Sequence, residues 1–184
     1  MRSLEFLPNR LHNLISTPWI VAGIYLLLIY LTLPLTPYLV QGMFNFVGYD
    51  GFSYISNAVL VIIAIFIVLQ IVKTGLKNGL LALPPLLLTF WVASQMEKAV
   101  ERLHFLEYGI LGIIVFWAVG YPTGYRLFLA FMGVVAAGGV DEMIQYFLPN
   151  RYWDIRDIWF NALGGGLGLW LGVLLKPTTA STAS

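Results

Sequence analysis

Long uncharged stretches alternate with short charged ones along this chain. No Asp, Glu, Lys or Arg lies between Arg10 and Asp50, and further uncharged runs cover residues 52–72, 78–96 and 127–140. A helix that spans a membrane needs about 20 consecutive, mainly apolar residues. The pattern therefore predicts an all-α fold, a polytopic transmembrane bundle with about six spans, near residues 19–38, 52–72, 78–96, 97–125, 127–147 and 157–175.

Prolines mark two of these spans. Pro34 and Pro37 predict a kink or an end at the far side of the first span, because proline lacks the amide N–H that a helix interior uses. Pro84 and Pro85 break the hydrogen-bond ladder of the third span. In a bilayer the freed carbonyls need partners from neighbouring helices, so we expect the third span to lie inside the bundle.

The two ends of the chain differ from the region between them. Residues 1–17 carry leucines at helical spacing among charged residues. This pattern predicts an interfacial amphipathic helix, although a frayed basic lead-in fits it equally well. Residues 177–184 are small and polar with nothing to bury, so we expect a disordered tail. Residues 18–176 are expected to form a single transmembrane bundle.

Composition supports a membrane protein and excludes other classes. Of 184 residues, 59% are hydrophobic and 10% are charged, against roughly 25% charged in soluble domains. So few charges cannot cover a water-exposed surface. The net charge of +1 argues against a nucleic-acid-binding protein. The chain has no cysteine, which excludes disulfides and Cys-ligated zinc.

The basic residues predict an orientation in the membrane. With the N-terminus inside, six spans put six basic residues on the inner side and four on the outer side. This distribution agrees with the excess of Lys and Arg in cytoplasmic loops of membrane proteins. Both termini are then cytoplasmic, and the charged segments 97–107 and 141–157 share the outer face.

The first charged segment places several titratable groups on one helix face. Glu97, Glu101, His104 and Tyr108 follow i, i+4, i+7 and i+11 spacing, and Glu107 lies one turn beyond His104. A solvated turn with ion pairs explains Glu97 and Glu101 as well as a site does. It explains His104 and Glu107 less well, because an uncharged span follows them directly.

The second charged segment opens with two carboxylates, Asp141 and Glu142, which follow the uncharged run 127–140. Charged groups attached to a membrane span are costly and indicate function. With a rise of about 1.5 Å per residue and a hydrocarbon core of about 30 Å, Asp141 is expected roughly 9 Å below the outer boundary. Asn161 falls at nearly the same depth, and Glu107 falls a few Å inside the outer boundary. These positions predict a shared polar pocket that opens to the outer leaflet.

Asp154, Asp157 and Asn161 follow i, i+3 and i+7 spacing and share a face of the sixth span. Acidic residues in the first turn of a helix also favour its dipole and its free N–H groups, which explains Asp154 and Asp157 without a site. Arg151 and Arg156 are the outer cations best placed to meet an anionic head group or to pair with these carboxylates.

A glycine ridge follows on the sixth span. Gly164, Gly168 and Gly172 repeat at every fourth residue. Small residues at this spacing allow two membrane helices to approach closely. The ridge therefore predicts a tight helix–helix contact below the polar residues.

The two polar segments resemble the VanZ-like family of bacterial integral membrane proteins. The match lies in ERLHFLEYGILG (101–112) and DEMIQYFLPNR (141–151), and it continues through residues 154–157 and NALGG (161–165). It covers roughly residues 97–172, while residues 1–96 share only their hydrophobicity. The family is named for a member associated with low-level resistance to teicoplanin, a lipid-tailed antibiotic. The resemblance implies a multi-pass protein of the bacterial cytoplasmic membrane and a candidate site, and it brings no established reaction.

Three functions fit these features. The first is a non-enzymatic protein of the cell envelope that binds or organises a lipid, an anionic lipid or lipid-linked envelope precursor, or a partner protein through the outer-leaflet pocket. The second is a membrane enzyme that acts on a lipid-linked phosphate or head group. The third is proton-coupled transport, although no repeat typical of many transporters is visible in the chain.

The candidate residues divide by role. In an enzyme, Asp141 or Glu142 would act as a general base or hold a divalent cation, His104 would shuttle a proton, and Arg151 would hold phosphate. No spacing selects a metal-ligand set, so metal and cofactors stay unknown. The catalytic candidates are His104, Glu107, Asp141 and Glu142. The ligand-binding candidates are Gln145, Arg151, Arg156, Asp157 and Asn161.

Overall fold

A computed structural model of the chain describes residues 17–73, 75–96, 101–149, 151 and 153–175. Over these residues every helix or strand assigned is an α-helix, which confirms the predicted all-α class. The predictions for residues 1–16, for 97 and 98, and for the tail 177–184 fall outside the described residues. The helices are α1 (Thr17–Thr32), α2 (Thr36–Lys73), α3 (Leu76–Gln95), α4 (Glu101–Ala118), α5 (Tyr125–Phe147) and α6 (Ile155–Leu174).

Two of the described helices, α2 and α5, are long and apolar enough to cross a membrane. α1 is a shorter apolar helix. Apolar side chains are widely exposed on α2, and among them are Phe46, Ile62 and Phe66. Such an uncovered apolar surface is typical of a protein whose solvent is lipid rather than water. The number of crossings and the side of each terminus stay predictions.

The first two helices meet at the predicted prolines. α1 ends at Thr32, a turn covers 33–35, and α2 begins at Thr36, so the expected end near Pro34 is confirmed. α2 begins at Thr36, well before the predicted residue 52. Pro37 does not prevent this early start, because it lies in the first turn, where proline is compatible with a helix. Gly48 breaks α2 with φ 75° and ψ 167°. This left-handed φ favours glycine and sets the segment 36–47 apart from the longer apolar part of the helix.

The proline pair of α3 has a hydrogen-bond partner on another helix, but the expectation that α3 lies inside the bundle was wrong, because many of its apolar side chains are exposed. Pro85 has no N–H to donate to the carbonyl of Leu81. The indole Nε1 of Trp170 on α6 donates to that oxygen instead, at 3.4 Å. The Oγ1 of Thr89 also donates to the carbonyl of Pro85, at 2.7 Å. The break in α3 is thus compensated in part by its contact with α6.

α4 ends at Ala118, seven residues before the predicted residue 125, so that prediction was wrong. Gly120 and Tyr121 have positive φ values of 74° and 57°, and Pro122 follows them. Positive φ leaves the right-handed helical region, so the chain turns here. The hydrophobic pattern did not predict this turn, because residues 108–125 contain no charged residue.

Arg102 joins α4 to two other helices. Its Nη1 donates to the hydroxyls of Ser53 and Ser56 on α2, at 3.2 and 3.3 Å. Its Nε and Nη2 donate to the carbonyls of Ala93 and Met96 at the end of α3, at 3.4 and 3.3 Å. We call these five residues the Arg102 clamp. The guanidinium also places a positive charge at a helix C-terminus, where the dipole favours it.

The glycine ridge of α6 makes the predicted close helix contact, and its partner is α4. A Cβ on Gly164 would overlap the carbonyl of Phe105, and one on Gly168 would overlap the carbonyl of Gly109. A Cβ on Gly172 would lie 2.5 Å from the ring of Phe116. The two backbones approach this closely only because the side chains are absent. The contact fixes the height of α6 against α4 and so positions the polar residues above it.

Candidate functional site

Asp141 lies near the C-terminal end of α5 with no exposed surface. Its Oδ2 accepts a hydrogen bond from the hydroxyl of Tyr108 on α4, at 3.0 Å, and its Oδ1 accepts one from the amide Nε2 of Gln145, at 3.0 Å. The Tyr108 hydroxyl also contacts the carbonyl of Ala137 at 3.1 Å. Two charge-assisted bonds stabilise a carboxylate that is sealed from solvent.

Glu142, the neighbouring carboxylate, also has no exposed surface. Its Oε1 accepts from the same Nε2 of Gln145, at 2.9 Å, and its Oε2 accepts from the backbone N–H of Asp154, at 3.1 Å. The amide of Gln145 therefore bridges both acidic side chains. The bond to Asp154 joins the end of α5 to the start of α6. Glu142 thus holds the segment that connects these helices.

His104 and Glu107 face Asp141 from α4. The Nδ1 of His104 lies 3.6 Å from Oε2 of Glu107 and 3.9 Å from Oδ2 of Asp141. Both distances exceed a hydrogen bond, so they amount to ion pairs only when the imidazole is protonated. His104 is 5% exposed, and its Nδ1 has no hydrogen-bond partner in the described part of the chain. The side chain of Glu107 is 37% exposed, which makes it the accessible carboxylate of this group.

Asn161 on α6 completes the arrangement. It has no exposed surface, and neither its Oδ1 nor its Nδ2 finds a hydrogen-bond partner within the described residues. A Cβ on Gly138 of α5 would lie 3.0 Å from the Cβ of Asn161 and 3.6 Å from the ring of Tyr108. An unsatisfied buried amide costs about 1–3 kcal/mol per group, so such groups are rare unless they serve a purpose.

The polar residues of the three helices thus lie close together, while their depth in a membrane and the predicted pocket at the outer leaflet stay predictions. We call this group the polar cluster. The members of the polar cluster are His104, Glu107, Asp141, Glu142, Gln145 and Asn161.

Arg151, in the connection between α5 and α6, lies within electrostatic range of the cluster. Its charge interacts with Asp141, Glu142, Asp157 and Glu107. Burial lowers the pKa of its guanidinium, while these carboxylates act in the opposite direction. Its Nε and Nη2 are buried and make no hydrogen bond to any described residue. Arg151 is therefore a cation with donors to spare beside the carboxylates.

The second arginine has a different environment. Arg156 is half exposed, and its Nε and Nη2 donate to the carboxylate of Asp154 at 3.1 and 2.9 Å. Asp154 is the N-cap of α6 and accepts the backbone N–H of Arg156 at 2.9 Å. The Nη2 of Arg156 also lies 3.9 Å from Oε1 of Glu101. The capping explanation of Asp154 is thus confirmed, and Arg156 belongs to the rim of the site.

Asp157 lies in the first turn of α6 and donates its backbone N–H to the carbonyl of Asp154, at 3.0 Å. Its carboxylate interacts electrostatically with Glu142 and with Arg151. It therefore connects the rim of the site with the polar cluster. All nine predicted site residues lie either in the cluster or beside it, and their roles stay predictions.

A cleft of about 270 Å³ adjoins the polar cluster. His104 and Glu107 form its polar wall, together with the hydroxyls of Thr32 and Thr36. We call this space the α1–α2–α4 cleft. Its remaining lining is apolar and comprises Leu33, Leu39, Val40, Met43, Phe52 and Leu103. Asp141, which is 3.9 Å from His104, does not line it, and neither do Glu142 and Asn161.

Sequence reasoning missed the contribution of the N-terminal helices. The hydroxyl of Tyr25 donates to the carbonyl of Glu107 at 3.2 Å, and that of Tyr30 donates to the carbonyl of Ala137 at 2.9 Å. Both tyrosines lie on α1, in a region that indicated only hydrophobicity. The sequence feature that indicates this contribution is a tyrosine inside an apolar span, because a buried tyrosine hydroxyl usually has a hydrogen-bond partner.

The described residues contain no group of three or more His, Asp or Glu side chains that could hold a metal ion. What the cluster offers instead is a carboxylate–imidazole pair at the cleft, with hydrogen-bonded carboxylates behind it. Such a wall can accept hydrogen bonds, bind a cation or exchange a proton with a molecule in the cleft.

Comparison with known proteins supports one assignment. No curated protein and no solved structure matches the chain. The model of the VanZ/LLP1 family matches residues 19–176, which covers the segments that carry the polar cluster and all six described helices apart from the first two residues of α1. The match extends well beyond the two motifs of α4 and α5 into the N-terminal helices that form the cleft. This chain therefore belongs to the VanZ/LLP1 family.

Proposed function

We propose that this protein is a multi-pass protein of the bacterial cytoplasmic membrane, with six crossings, both termini in the cytoplasm and the polar cluster at the outer leaflet. The family match and the apolar helices support a membrane protein. The distribution of basic residues supports the orientation. Under it, the α1–α2–α4 cleft opens toward the outer half of the bilayer.

Cysteine labelling tests the orientation, because the chain has no cysteine of its own. Trp153, between α5 and α6, and Tyr125, at the start of α5, are 53% and 75% exposed. We expect a membrane-impermeant maleimide to label Trp153→Cys in intact spheroplasts. Tyr125→Cys should react only after lysis. Equal labelling of both before lysis would contradict the orientation.

We further propose that the protein binds a lipid or a lipid-linked envelope precursor without transforming it. The observation that carries this proposal is the α1–α2–α4 cleft, where His104 and Glu107 face an otherwise apolar space. Such a cavity complements an amphiphile, whose head group meets the polar wall while its chain covers the apolar side chains. Arg151 and Arg156, which lie beside the polar cluster, would meet the anionic part of such a head group.

Filling the cleft tests this function. Met43 lines the cleft, so we expect Met43→Trp to displace the ligand. Met132 is 44% exposed on α5 and does not line the cleft, so Met132→Trp serves as the matched control. Native mass spectrometry of the purified protein should show lipid retained by wild type and Met132→Trp and lost from Met43→Trp. Equal retention by all three would overturn the proposal.

An enzyme that acts on a lipid head group is the second candidate, and the position of His104 between Glu107 and Asp141 favours it. Because Asp141 and Glu142 are sealed, the groups that would touch a substrate are His104 and Glu107. In this case His104→Ala would abolish turnover of a lipid-linked phosphate while lipid retention persisted. Full activity in His104→Ala and Asp141→Asn variants would exclude it.

A further inference from the structure

The charges of the site indicate the chemistry of its ligand. Arg151 interacts with four carboxylates, those of Asp141, Glu142, Asp157 and Glu107. One guanidinium cannot neutralise four acidic groups, and His104 adds a positive charge only when it is protonated. A purely anionic head group would therefore meet an excess of negative charge. A group that carries positive charge is attracted to the same place.

The wall of the cleft is also rich in hydrogen-bond acceptors. Each threonine hydroxyl has a single hydrogen. The Oγ1 of Thr32 uses its hydrogen on the carbonyls of Leu28 and Ile29, at 3.0 and 2.8 Å, and that of Thr36 uses its own on the carbonyl of Thr32, at 2.9 Å. Both hydroxyls can then offer only lone pairs to the cleft. The accessible carboxylate of Glu107 adds further acceptors.

An independent observation comes from His104. The imidazole is 5% exposed, lines the cleft, and has an Nδ1 without a hydrogen-bond partner in the described part of the chain. This nitrogen lies 3.6 Å from Oε2 of Glu107 and 3.9 Å from Oδ2 of Asp141, where its lone pair would be repelled, so Nδ1 carries the hydrogen of the neutral ring. The other ring nitrogen, Nε2, is then the acceptor that a donor can satisfy. Glu107, Thr32, Thr36 and His104 can therefore all accept from one group placed between them.

We propose that the α1–α2–α4 cleft binds the primary ammonium group of an amino lipid, held by Glu107, His104 and the two threonine hydroxyls. An ammonium carries three N–H donors and a positive charge, which match the acceptors and the charge excess of this wall. The acyl part lies along Leu39, Val40 and Met43. This inference rests on the proposed lipid-binding function and specifies its head group.

The test compares three phospholipids with identical acyl chains. Wild-type protein in detergent micelles is incubated with equimolar phosphatidylethanolamine, phosphatidylcholine and phosphatidylglycerol, and bound lipid is measured by native mass spectrometry. We expect phosphatidylethanolamine to be preferred by about tenfold, because phosphatidylcholine lacks the N–H donors and phosphatidylglycerol lacks the cation. Glu107→Gln should remove the preference, and Glu107→Asp should keep most of it.

A matched control comes from the same helix. Glu101→Gln removes a carboxylate that does not line the cleft, so its lipid preference should equal that of wild type. Circular dichroism and gel filtration identify any variant that fails to fold, and Glu107→Asp then keeps the comparison decisive. A preference that survives in folded Glu107→Gln would overturn the assignment of the ammonium site.

The two proposals fail in different ways. If Met43→Trp displaces lipid but wild type binds phosphatidylglycerol as tightly as phosphatidylethanolamine, the ammonium site is wrong and lipid binding stands. If Met43→Trp displaces no lipid, lipid binding itself is wrong. If free phosphoethanolamine displaces phosphatidylethanolamine at equal concentration, the ligand is a soluble amine and the assignment to a lipid is overturned.

Discussion

Two arginines beside the same part of the bundle are used in opposite ways. The guanidinium of Arg102 makes four hydrogen bonds to α2 and α3. Arg151 has two buried nitrogens without a hydrogen-bond partner among the described residues, although carboxylates surround it. A buried donor that the protein satisfies contributes to stability, whereas one left open costs stability and is available to a ligand. The Arg102 clamp holds helices together, whereas Arg151 keeps two donors that no described residue uses.

Both regions depend on α4, so the largest expected effect comes from its contact with α6. Gly168→Ala places a methyl group where the carbonyl of Gly109 lies. We expect the free energy of unfolding to fall by about 3 kcal/mol, because close-packed backbones cannot accommodate the added atom. The control is Gly133→Ala, whose Cβ would have no heavy atom within 4 Å. Thermal unfolding in detergent measures both, and equal melting temperatures would contradict the packing.

The Arg102 clamp gives the next largest effect. Arg102→Met removes four hydrogen bonds and should lower the free energy of unfolding by about 2–3 kcal/mol. Lipid retained per folded molecule should stay unchanged, because the clamp lies outside the cleft. Arg126→Met is the control, since the Arg126 side chain makes one exposed hydrogen bond to the described residues, to the carbonyl of Val119. An Arg102→Met variant that is as stable as wild type but retains no lipid would contradict the structural role of Arg102.

Two buried amides sharpen the contrast further. Gln145 bridges Asp141 and Glu142, so Gln145→Met should destabilise the protein by about 2 kcal/mol. Asn161 has no hydrogen-bond partner within the described residues, and Asn161→Leu keeps its shape. We expect this variant to be more stable by about 1 kcal/mol, because it removes an unsatisfied amide. Chemical unfolding of both variants checks the opposite signs. Destabilisation by Asn161→Leu would mean that its amide has a structural partner.

Arg151→Gln should destabilise the protein less than Arg102→Met does. Its Nε and Nη2 have no hydrogen bond to the described chain to lose, so only the attraction of its charge to the surrounding carboxylates is removed. Retained phospholipid should fall by about tenfold, because a charge-assisted bond to the head group is lost. Parallel melting and lipid measurements on Arg102→Met and Arg151→Gln test this reversal. A larger loss of stability in Arg151→Gln would assign Arg151 to the architecture.

The chemistry of single residues predicted several local features correctly. Pro34 marked the end of α1, the Pro84–Pro85 pair required an outside partner, and the ridge around Gly168 required a close helix. Each of these follows from what one residue type can or cannot do in a helix. The end of α4 at Ala118 was not predicted, because backbone angles at Gly120 and Tyr121, rather than hydrophobicity, set it.

The sequence by itself determined the helical class, the apolar segments and the identity of the polar residues, because hydrophobic runs, prolines and isolated charges act locally along the chain. Only the tertiary structure decided which polar groups are satisfied. Asp141 and Glu142 are closed off by Tyr108, Gln145 and the Asp154 backbone, whereas His104 and Glu107 reach a cleft built largely from α2. Hydrogen bonds between residues distant in sequence depend on how helices pack, and a linear pattern does not contain that information.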